Sequence, residues 1–136
     1  MPVRYLLDTN ICIYITKYNP PAVRARFERH TTDELAMSVI TLGELRHGSE
    51  KSNSPKKASA AIGQLTSVIQ VMPIDDAVAQ QYGKIRAKLE QAGQTIGNND
   101  LWIAAHAKAE GWILVTNNER EFKRVAGLKI ENWAKP

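Results

Sequence analysis

The sequence predicts an α/β fold, a three-layer α/β/α sandwich around a mainly parallel central sheet. Two observations carry that expectation. Short apolar runs of strand length alternate along the chain with longer amphipathic stretches of helical spacing. Between neighbouring apolar runs lie whole helices rather than two-residue turns, so strands are joined by crossovers and run parallel.

Taken in order, VRYLLD is a short apolar run closed by a carboxylate, the pattern of a buried strand. TNICIYITK places Ile11, Tyr14 and Ile15 at helical spacing. Pro20 and Pro21 break the chain, and AVRARFERH reads as a short helix ending in basic residues, favourable near its negative end. LAMSVI is a second strand, leading into TLGELRHGSEK, where Thr41 and Glu44 have the spacing of a capping box. After the SNSP turn, KKASAAIGQLTSVI is an amphipathic helix interrupted by Gly63, and VMPI is a third strand containing Pro73. DDAVAQQYGKIRAKLEQAG puts Ala77, Val78, Tyr82, Ile85 and Leu89 on one stripe, with Gly93 as its stop. NNDLWIAAHAKAEG is a helix packing through Leu101, Ile103, Ala104 and Ala107 and ending at Gly111; WILVT is the clearest strand. NNEREFKRV gives a short helix and LKIENW a last short strand. With no repeat or linker, residues 1–136 are expected to form one domain.

Composition narrows the classes. Hydrophobic content of 43% with 24% charged residues is that of an ordinary globular chain, and no window is long enough to span a bilayer. Cys12 is the only cysteine, which excludes an internal disulfide and suits a reducing cytoplasm. A net charge of +4 is compatible with a polyanionic partner without requiring one.

Three acids stand at similar places: Asp8 in YLLDTN, Glu44 in SVITLGEL and Asp100 in IGNNDLWIAAHA, each where a strand or turn gives way to a helix. In open parallel sheets that edge holds the ligand crevice. Convergence there would create a carboxylate cluster suited to a hard divalent cation and to phosphodiester hydrolysis. Each acid also has a structural alternative. Asp8 suits a helix N-cap, Glu44 the second half of a Thr41 capping box, and Asp100 the positive end of a helix capped by Asn98.

Other chemistries lack their residues. His30, His47 and His106 have no zinc-protease spacing, and His106, on an alanine-rich helix, reads as packed or surface. No phosphate-cradling glycine loop or nucleophile elbow is present. Basic residues form three groups: Arg24, Arg26 and Arg29; then Arg46, His47, Lys51, Lys56 and Lys57; then Arg120, Lys123 and Arg124. The second follows Glu44, so Arg46, Lys51, Lys56 and Lys57 are the candidate RNA-backbone contacts, with a solvated charged face as the alternative. Trp102 and Trp112 suit core or dimer packing better than base stacking.

LLDTN, SVITLGELRHG, GNNDLWIAAHA and VTNNEREF, in this order and over essentially the whole chain, resemble a PIN-domain protein of the VapC toxin type. The resemblance implies a Mg²⁺- or Mn²⁺-dependent ribonuclease, commonly cutting structured RNA such as transfer RNA. It also implies a homodimer or larger complex silenced by a cognate VapB-type antitoxin. Asp8, Glu44 and Asp100 match the family's three acidic positions. A fourth acid, common two residues beyond a Thr, falls here on Asn118 after Thr116. Glu121 is a candidate replacement, with a capping box to Asn118 as the competing role. Thr9 and Asn10 would orient ligands or water. LLDTN is also similar to the strand-end Asp of haloacid-dehalogenase phosphatases, with Asp8 as nucleophile, although the second Asp those sites need is Asn10 here. A catalytically silent RNA- or partner-binding module is the non-enzymatic alternative.

Overall fold

The computed structural model describes residues 2–135. Five strands form one sheet: β1 (Tyr5–Leu7), β2 (Leu35–Ser38), β3 (Gln70–Met72), β4 (Ile113–Val115) and β5 (Ile130–Glu131). Their order is β3-β2-β1-β4-β5 and every pairing is parallel, with Tyr5 opposite both Leu35 and Ile113. Between them run α1 (Thr9–Lys17), α2 (Pro21–Phe27), α3 (Val39–Glu50), α4 (Pro55–Val68), α5 (Asp76–Gln91), α6 (Asn98–Glu110) and α7 (Glu119–Phe122).

Strand alternation divides the interior into two cores, since successive side chains point to opposite faces. Tyr5, Leu7, Leu35, Met37 and Val115 enter one core with Ile11 and Ile15 of α1 and Ile62 and Leu65 of α4. Leu6, Ala36 and Leu114 enter the other with Val78, Ile85 and Leu89 of α5 and Leu101, Ile103 and Ala104 of α6. β1 is buried at all three positions, as a central strand covered on both faces should be. This is the expected three-layer sandwich.

Several local expectations are corrected. α3 starts at Val39, with Ser38 as N-cap through a 3.2 Å bond from the Ile40 N–H, so Thr41 caps nothing and lies buried in the first turn. The hydroxyl preceding the helix wins because its backbone is still extended there. α6 is capped by the backbone of Gly97, and Asn98 is its first helical residue. Gly63 does not interrupt α4, which runs through it with that glycine on the exposed side. Ala77 is exposed and falls off the buried α5 stripe. Pro73 lies just beyond β3, which therefore keeps its ladder. Gly93 and Gly111 stop α5 and α6 in the left-handed region, at φ 67° and 73°. No described helix is long and apolar enough to cross a membrane.

Candidate functional site

The chain lays down β1, β2 and β3 in one direction across the sheet and then returns to place β4 on the other flank of β1. The order reverses between β1 and β4, so the crevice opens beyond Leu7 and Val115. Asp8 and Thr116 are the residues immediately past those two ends.

Asp8 does two jobs. It caps α1, its Oδ1 accepting the Ile11 N–H at 3.0 Å, while its Oδ2 accepts the Thr116 hydroxyl. It is 5% exposed. Burial pushes its carboxyl up to about 6; the Thr116 hydroxyl and the Ile11 and Asn10 N–H groups pull it down, and the charge of Glu44 raises it again. Thr116, fully buried, also accepts from the Asn118 N–H at 2.9 Å, so one hydroxyl links the ends of β1 and β4 to the loop beyond.

Glu44 sits on the second turn of α3, where it is no helix cap. Its Oε1 accepts from the Thr9 hydroxyl at 2.5 Å and its Oε2 from the Asn99 amide at 3.4 Å. Thr9, the residue after Asp8, thus holds one oxygen of Glu44. The Asn10 side chain is exposed at the rim, and its contribution to Asp8 is a backbone N–H.

Asp100 is raised to about 7, first by burial, then by a hydrogen bond shared with Glu121 and by the charges of Glu121, Glu44 and Asp8. Two carboxyl groups bond to each other only by sharing a proton, so Glu121 faces Asp100 directly. The anticipated capping box is absent: α7 has no side-chain cap, and Asn118 instead donates its amide to Glu121 Oε2 at 2.9 Å. Glu121 reaches the cleft because Asn118 holds it from one helical turn away. The charged groups that act most strongly on Asp8 and Asp100 are other carboxylates. Among the described residues, no three carboxylate, imidazole or thiolate side chains stand close enough to share one ion directly.

Of the basic candidates, Lys57 lines a groove of about 600 Å³ that begins at Glu44 and runs between α1, α3 and α4. Arg46, Lys51 and Lys56 are exposed but do not line it. Trp112 packs in the core, and Trp102 stacks on Tyr82 at 3.9 Å between ring centroids. The sequence reading missed Asn99, adjacent to Asp100 in the NND run. The Tyr14 hydroxyl accepts from the Asn117 amide at 3.3 Å.

The PIN domain model matches residues 5–128. The chain is 44% identical to the tRNA(fMet)-specific endonuclease VapC of Shigella flexneri, covering 97% of this chain and 99% of that protein. It is 43% identical to ribonuclease VapC2 of Haemophilus influenzae, covering 96% and 98%. The DNA-bound VapBC structure from Salmonella typhimurium superposes with a TM-score of 0.91 at 40% identity over 96% of this chain and 98% of that one. On fold, motif order and full-length similarity together, this chain belongs to the PIN-domain family and, within it, to the VapC ribonucleases.

Proposed function

We propose that this protein is the toxin of a type II toxin–antitoxin pair, an endoribonuclease that hydrolyses phosphodiester bonds of transfer RNA with Mg²⁺ or Mn²⁺. A VapB-type antitoxin silences it, and it works in the cytoplasm as a homodimer or within a larger toxin–antitoxin assembly. The observation that carries the reading is a half-buried group of acids at the crevice of a parallel sheet, whose charges repel one another and which, among the described residues, form no ion pair with a side-chain cation. Such a group favours a bound cation. The names of the relatives support the RNA class, and the VapBC complex supports the partner.

The donor set fits a hard cation, which is usually held by one or two carboxylates with water and phosphate oxygens completing its shell. Asp8 and Asp100 would hold it, and Glu44 would complete the shell or orient the attacking water. When bound, the ion supplies neutralisation of the developing phosphoryl charge and a lower pKa for water. The rest is the work of the chain's own residues. Thr116 and the Ile11 N–H orient Asp8 and favour its ionised form. Thr9 and Asn99 hold the two oxygens of Glu44, fixing its direction. Glu121, held by Asn118, takes the place of the family's fourth acid beside Asp100.

A phosphatase mechanism with Asp8 as nucleophile is not favoured. Both of its oxygens are committed, one to the first turn of α1 and the other to Thr116. The deciding experiment incubates purified protein with transfer RNA, with and without EDTA. Metal-dependent cleavage that disappears in Asp8→Asn and Asp100→Asn supports the nuclease. Undiminished cleavage by both variants would refute these roles, and tight RNA binding without cleavage in either metal would favour the silent module.

A further inference from the structure

Away from the cleft, α5, the end of α6 and the segment after α7 enclose a groove of about 220 Å³. Four cations line it: Lys84, Lys88, Lys108 and Arg124, over a floor that includes Ile85 and Leu89. Among the described residues, no carboxylate lines it. Some basic side chains elsewhere pair with acids: Arg24 with Glu28, Arg26 with Glu131, Arg86 with Glu90, Lys123 and Lys135 with Glu119. Among the described residues, the groove cations make no such ion pair. Lys108 Nζ donates to the Ala126 carbonyl at 2.6 Å and Arg124 Nη1 to the Thr95 carbonyl at 2.8 Å, bonds that fix their positions and leave their charge uncancelled.

Lys84 and Lys88 are exposed and stand one turn apart on α5, an arrangement of like charges that slightly destabilises a helix. Four converging, uncompensated cations focus a positive potential, and a bound polyanion offsets their repulsion. The groove and the catalytic crevice share an element, since α6 carries Asp100 near its start and Lys108 near its end. Arg124 lies one turn past Glu121, and the Thr95 carbonyl it grips shortly precedes Asp100.

We propose that this groove is a second RNA-binding site, which holds the phosphate backbone of the substrate outside the cleavage crevice. The identity of the polyanion rests on the nuclease reading above. Backbone contacts position a nucleic acid without reading its bases, so the groove selects extended, structured RNA over short fragments. It is distinct from the group around Arg46, Lys51, Lys56 and Lys57 near Glu44.

The test compares the wild-type groove with the Lys84→Ala/Lys88→Ala double variant; both lysines are exposed, so folding is preserved. Binding of transfer RNA is measured over a range of salt concentrations in an Asp100→Asn background, which keeps the RNA whole. The slope of log affinity against log salt should fall by about 0.7–0.9 per lysine removed. Lys129→Ala, at the amino end of β5, should leave it unchanged. In the active background, KM for transfer RNA should rise about tenfold with kcat unchanged, while a short single-stranded oligonucleotide is cut as before. An unchanged slope and KM would overturn the proposal. So would inorganic phosphate binding that the double variant abolishes while its RNA affinity stays intact. Absence of cleavage by the wild type would defeat the nuclease reading alone, because the salt slope is a binding measurement.

Discussion

The imidazole Nδ1 of His106 lies 2.9 Å from the hydroxyl of Ser38, both fully enclosed, and this bond joins the two helices that carry Asp100 and Glu44. Ser38 ends β2 and caps α3; His106 lies on α6, two turns beyond Asp100. Burial holds the imidazole below its ordinary pKa, against an opposing pull from Asp75, so the ring is neutral at physiological pH.

Removing one partner of that bond should be costly, because the other is left buried and unsatisfied. His106→Leu and Ser38→Ala should each lower unfolding stability in urea by about 1–3 kcal/mol. A double-mutant cycle should show a loss smaller than the sum of the single losses. RNA cleavage should fall more steeply in kcat than in KM, since helix spacing rather than substrate contact is disturbed. Additive stability losses would show that the pair acts independently.

Stability should also depend on pH in a defined direction. Asp8 and Asp100 have native pKa values of about 6 and 7, above the ordinary 3.8. Between those limits the native state holds more protons than the unfolded one, so stability contributed by these groups falls as pH rises from about 4 to 7 and then levels. For buried Asp8 alone the change is on the order of 2–3 kcal/mol. Melting temperatures measured without metal across that range test it. Mg²⁺ should raise the melting temperature at pH 8 and have little effect at pH 5, where both carboxyls are protonated.

Asp100→Asn separates stability from function. It removes the like-charge contact with Glu121, so the metal-free protein should melt higher than wild type at pH 8 and similarly at pH 5. Cleavage should be lost. A variant that melts lower at pH 8 would mean that Asp100 is held by attraction rather than repulsion.

Thr116→Val leaves the core filled but removes the hydroxyl that favours ionised Asp8. The carboxyl should titrate higher, moving the acid limb of the pH–rate profile to higher pH. An unmoved acid limb would exclude Asp8 as the group titrating there.

Glu121→Gln should reduce cleavage about tenfold or more, whereas Lys123→Ala, on the same short helix segment, should leave it within twofold. Equal effects would place Glu121 among surface groups. Asn118→Leu should act like a weaker Glu121→Gln, because Glu121 then loses the amide that directs it.

The fold was legible where the physics is local. β1 and β4 are runs of apolar residues whose burial needs no partner to be recognised, and α6 announces itself by helical spacing and a terminal glycine. That Asp8, Glu44 and Asp100 come near one another was legible from their places after strands and turns. What escaped depends on tertiary contact. The spacing Thr41-x-x-Glu44 has the form of a capping box, but Ser38 already supplied the cap and Glu44 was left to turn toward Thr9. Likewise Asn118 and Glu121 have capping spacing, yet the amide bonds the carboxylate sideways and offers it to Asp100. Both motifs look the same in one dimension whether they close a helix or furnish a cleft. The groove between Lys84 and Arg124 joins residues from three separate segments, and no spacing rule connects them.

Cys12 lies fully enclosed one turn after Asp8, and its surroundings hold the thiol well above the ordinary range. A thiol so enclosed reacts only when α1 leaves the sheet. The molecule therefore carries its own opening reporter: the rate at which a thiol reagent labels this single thiol measures how often the floor of the cleft comes apart, without any added probe.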